Sequence, residues 1–94
     1  MRLDESKIPE GLRPLLPFAE RWGISDDGER SNAVENASPR DLSELIHSID
    51  AYEEELFDWL AGPESYRNPA TDEYVALTNL TLAIDYAQVL IRRL

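Results

Sequence analysis

Glu44 and His47, in the run Glu44-Leu45-Ile46-His47, place a carboxylate and the chain's single imidazole one helical turn apart. That spacing lets both side chains reach one metal ion, the arrangement that di-iron helical bundles use twice. One pair supplies half a ligand set. Leu45 and Ile46 belong to the apolar side of the same turn, so Glu44 and His47 face outward. Only two copies of the chain meeting through this side would complete a metal site. The plainer expectation is an exposed histidine whose protonated form the surrounding acids favour. No metal or other cofactor is expected.

Glu53 fits its position least well among the acids, because it lies on the apolar side of a helical run between Ile49 and Leu56. A buried carboxylate needs a cation or bears a desolvation penalty, so the expectation is a partner among Arg21, Arg30 and Arg67, a nearby tyrosine, or a seam between subunits. A catalytic acid with a raised pKa is the competing role. No second catalytic group accompanies it. Asp26-Asp27-Gly28-Glu29 lacks the alternating oxygen ligands of a calcium loop; acids at a helix N-terminus, favoured by the dipole, account for it and for Asp72 and Glu73. The chain contains neither a phosphate-cradling glycine turn nor a Ser-His-Asp set, and with no cysteine it has no thiolate chemistry. The expectation is a non-catalytic protein, with a small metal-binding enzyme built on Glu44 and His47 as the remote alternative.

Charge placement carries more information than any motif. Residues 41 to 73 hold ten acids against one base, Arg67, and so account for −9 of the net charge of −10. With helical geometry, Glu44, Glu54, Glu55 and Asp58 gather opposite the apolar stripe, with His47 among them. Such a ridge steers a basic protein towards it, as in an immunity-type or inhibitor-like binder. A merely solvated face is the competing explanation. Nucleic acid is excluded as a partner, since no basic stripe offsets the repulsion of a phosphate backbone. A second contact epitope is expected at Tyr66 and Arg67, in a proline-flanked loop.

The elements that position these residues read as helices throughout, because apolar residues recur at spacings of three and four between caps and prolines. Residues 1–12 form an arm with Leu3, Ile8 and Leu12 available for docking, since the proline ring holds Ile8 out of helix. Helices are predicted over 14–22, 26–36, 39–61 and 72–94. Pro14 and Pro17 start the first and Gly23 ends it as a left-handed stop. Ser25 or Asp26 starts the second, with Asp26 and Glu29 as a capping pair, and it carries only a thin stripe of Ala33, Val34 and Ala37 and needs tertiary support. Ser38 and Pro39 open the third, whose stripe runs from Leu42 through Leu45, Ile46, Ile49, Leu56 and Phe57 to Leu60. Thr71 or Asn68 caps the last helix. The expected fold is a compact all-α bundle of about four helices: two short N-terminal helices, and two long C-terminal ones as an antiparallel hairpin.

The last helix is unusually apolar, with 14 of the 21 residues from Tyr74 to Leu94 apolar. Asn79, Asp85 and Gln88 interrupt it, and a mid-span carboxylate costs about 2.5–3.5 kcal/mol on insertion, so a membrane span is not expected. Leu77, Leu80, Ile84, Ala87, Ile91 and Leu94 form a broad stripe. Val75, Leu82, Tyr86 and Val89 form a second, narrower one. A helix apolar on two sides is either central in its domain or shared with a second copy, which makes a homodimeric structural or regulatory subunit, in contact through the narrower stripe, the alternative function.

A length of 94 residues, 43% of them hydrophobic, provides for one small domain. The polar start Met1-Arg2-Leu3-Asp4-Glu5-Ser6-Lys7 lacks the apolar stretch of a secretory signal. Together with the lack of cysteine, it leads to an expected cytoplasmic location.

Overall fold

Prolines and a glycine early in the chain favour tight turns over α-helix, and short 3-10 turns are what form. The computed structural model describes residues 3–62 and 71–93. Asp4 caps a 3-10 turn at Glu5–Lys7 by accepting from the backbone N–H of Ser6 (2.9 Å), and a second runs over Glu10–Leu15, containing Pro14. Leu3, Ile8 and Leu12 are all buried, Leu12 and Leu15 completely. The arm therefore lies on the core. Two hydrogen bonds fix its start: the backbone N–H of Leu3 donates to Glu20 (3.1 Å) and that of Asp4 to Glu73 (2.9 Å).

Helix α1 spans Leu16–Trp22, so the predicted helix over 14–22 begins as the 3-10 turn and becomes α only after Leu15. Gly23 closes it without a left-handed conformation, its φ being −79° and ψ 48°, which corrects the expected stop. Glycine is required there for space. A Cβ on Gly23 would lie 2.4 Å from the carbonyl oxygens of both Ala19 and Ala76, so the chain leaves α1 pressed against the backbone of the last helix.

Helix α2 spans Asp27–Glu35, and Asp26 caps it by accepting from the backbone N–H of Glu29 (2.8 Å). Its thin stripe buries Val34 completely and Ala33 and Ala37 partly. The tertiary support it needs comes from Arg30. This buried side chain donates to the carbonyl of Ile24 (2.8 Å) and to the buried amide oxygen of Asn79 (3.2 Å), and pairs with Asp27.

The single helix expected over 39–61 is two helices, α3 over Pro39–His47 and α4 over Glu53–Ala61. The start is as predicted, Ser38 accepting from the backbone N–H of Asp41 (3.1 Å) with Pro39 in the first turn. After His47 the backbone tightens: the N–H of Ser48 donates to Leu45, that of Asp50 to His47 and that of Tyr52 to Ile49, each spanning three residues. The Ser48 hydroxyl donates to the Leu45 carbonyl (2.6 Å) and so competes for the acceptor the α-helix would use. His47 and Asp50 close the turn with a side-chain contact of 2.8 Å. The interruption changes the phase of the stripe. Leu42, Leu45, Ile49 and Leu56 remain buried, while Phe57 turns out to 44% exposure.

Helix α5 spans Asp72–Arg92, with Thr71 as its cap, accepting from the backbone N–H of Tyr74 (3.2 Å). Helices α1, α2 and α3 all pack on it, burying Ala76, Leu77, Leu80, Ala83, Ile84 and Ala87, whereas α4 packs chiefly on the Glu10–Leu15 turn. Its central place explains its composition. By length and composition alone it is long and apolar enough to cross a membrane. The described residues contain helices and no strand, so the chain is all-α.

Candidate functional site

Helix α4 opens with Glu53, Glu54 and Glu55 in its first turn, where the positive end of the helix dipole favours acids. With Asp50, Ala51 and Asp58 they surround a shallow hollow of about 450 Å³. All five carboxylates are on exposed residues. Three of the described arginines pair with other acids: Arg21 with Asp41 (3.0 Å), where it also lies 4.5 Å from the Trp22 ring centre, Arg30 with Asp27, and Arg40 with Glu44 (3.5 Å). Asp50 holds His47. Glu53, Glu54, Glu55 and Asp58 form no ion pair with a described residue. The Glu55 carboxylate reaches back over Gly11, where a Cβ would come within 2.6 Å of both its oxygens.

The ridge read from a continuous helix is thus rearranged. Glu54, Glu55 and Asp58 come together as expected and gain Asp50 and Glu53, which the helical wheel did not group with them. Glu44 stands on α3, outside that hollow. The Glu-x-x-His pair is divided between other partners, Glu44 facing Arg40 and His47 facing Asp50, and the described residues include no cluster of three potential metal ligands.

Glu53 is exposed, which corrects its expected burial, and it pairs with no arginine or tyrosine among the described residues, Arg21 and Arg30 being engaged with Asp41 and Asp27; Arg67 lies outside them. The break before α4 is the cause, since it turns the helix so that Glu53 leaves the apolar side. The buried acid is Glu73, 3% exposed, which accepts from Asp4 while its second oxygen finds no partner among the described residues. A signal for it was present in the sequence: Glu73 precedes Ala76 and Leu77 by one turn and shares their face. Tyr66 and Arg67 lie outside the described residues.

On α5, Leu82 and Val89 are 44% and 39% exposed, while Val75 and Tyr86 are half-buried. The Tyr86 hydroxyl donates to the Glu35 carboxylate, and this hydrogen bond raises its pKa above the ordinary tyrosine value. Beside the acidic hollow, and sharing Asp50 and Glu53 with it, a narrower cleft of about 120 Å³ reaches between the α3–α4 turn and α5. Comparison with protein-family models, curated protein sequences and solved structures yields no match to this chain.

Proposed function

We propose that this protein is a non-catalytic interaction module that docks a basic protein on the acidic face of α4, in the manner of an immunity protein or inhibitor. Helix α3 packs on α5 and α4 chiefly on the Glu10–Leu15 turn, and the acids of α4 stay exposed. The observation carrying the reading is the group of four carboxylates, Glu53, Glu54, Glu55 and Asp58, that no described cation neutralises. Like charges held this close repel one another, and a cationic surface relieves the repulsion on binding. The test is capture from native cell extract on wild-type protein and on a Glu54→Lys/Glu55→Lys/Asp58→Lys variant, at low and high salt. A basic protein held by the wild type, lost from the variant and released by salt supports the reading. Equal retention on both surfaces sinks it.

The exposure of Leu82 and Val89, seven residues apart on α5, favours a second reading, a homodimeric structural or regulatory subunit joined through Val75, Leu82, Tyr86 and Val89. Light scattering at high protein concentration decides it, a monomer removing the dimer from consideration.

A further inference from the structure

The cleft between the α3–α4 turn and α5 combines two environments that few ligands match. Its floor is apolar, with Ile49 and Ile84 buried and Ile46 half-buried, and Phe57 lines it with 44% of its surface exposed. Around it stand three carboxylates from three separate elements, Asp50 from the turn, Glu53 from α4 and Asp85 from α5. Glu53 and Asp85 form no ion pair with a described residue. At about 120 Å³ the cleft is far below the ~300–1,000 Å³ of small-molecule sites, so its size suits a single side chain. A hydrated metal ion gains nothing from an isoleucine floor, and an acidic or purely apolar group is opposed by the carboxylates. An aliphatic stem with a cationic head satisfies both parts.

We propose that this cleft receives one arginine side chain of the basic partner, a refinement that rests on the docking face assigned to α4 above. The methylene stem covers Ile46, Ile49 and Ile84. A planar guanidinium stacks on aromatic rings and forks between carboxylates, which an ammonium does less well, so arginine is favoured over lysine here.

The probe is N-acetyl-arginine methylamide, titrated into the intact chain and followed by backbone amide NMR, with the citrulline and lysine analogues and calcium chloride as comparisons. Saturable shifts at Ile46, Ile49, Phe57, Thr81 and Ile84 are expected with the arginine compound, weaker ones with lysine and none with citrulline. Phe57→Ala and Asp85→Asn, both at exposed positions, each weaken binding about fivefold. A Glu54→Gln/Glu55→Gln/Asp58→Asn variant, altered only outside the cleft, stays within about twofold. Citrulline binding as well as arginine, shifts confined to the outer hollow, or a response to calcium without one to arginine overturns the proposal. Capture of a basic protein that is sensitive to Lys substitution at Glu54, Glu55 and Asp58 but indifferent to Phe57→Ala and Asp85→Asn leaves the docking face standing and removes the arginine cleft. Arginine binding in the cleft with no salt-dependent capture removes the docking face alone.

Discussion

Arg30 shows how one residue ties three parts of the chain together: it pairs with Asp27 in its own helix, donates to Ile24 in the preceding link and donates to Asn79 in α5. Replacing it with alanine strands the buried Asn79 oxygen as well as the Ile24 carbonyl. A loss of about 2–3 kcal/mol is therefore expected in urea denaturation. An Arg30→Ala/Asn79→Ala double variant should lose less than the sum of the two single losses, because the second substitution removes the group left unpaired. Tyr86 makes a different kind of bond. Its folded-state pKa is raised above 10.0 first by the hydrogen bond it donates to Glu35, so the bond contributes fully below the unfolded value and is lost as pH rises through the folded one. Tyr86→Phe should accordingly be less stable than the wild type near neutral pH, with the difference closing in alkaline solution. Glu35→Gln should move the tyrosinate absorbance transition of Tyr86 back towards the ordinary range.

At the scale of elements, the starts of α2, α3 and α5 were legible, while the start of α1 and the break that begins α4 were not. Asp26, Ser38 and Thr71 cap as their residue types dictate, because a cap is a local bond between a side chain and the backbone two or three residues on. The break between α3 and α4 had no proline or glycine to announce it; it depends on a hydroxyl and an imidazole, Ser48 and His47, finding partners that a helix interior also tolerates. That one break misplaced Glu53, hid the exposure of Phe57 and divided Glu44 from the acids of α4. The buried Glu73 escaped for a related reason, since a first-turn acid on an apolar face differs from a solvated one only through what packs over it. Hydrogen exchange reads the break directly. The Ala51 N–H donates to no described group in the turn, whereas an unbroken helix would bond it to His47. Ala51 should exchange fast between protected amides at Leu45 and Leu56; protection at Ala51 equal to theirs would contradict the two-helix description.

For the whole molecule, the central packing of α5 and the concentration of charge on α4 are two results of one division. The apolar residues of a short chain are concentrated in one helix that α1, α2 and α3 cover, which leaves α4, packed mainly on the Glu10–Leu15 turn, free to carry acids. On this account the acidic face is the working surface, and electrostatic attraction brings its partner to it. The most direct measurement is the association rate of the captured basic protein with wild type and with the Glu54→Lys/Glu55→Lys/Asp58→Lys variant across a range of ionic strength. The rate should fall steeply with salt for the wild type and be slow and nearly salt-independent for the variant. The same rate and the same salt dependence in both proteins would contradict it.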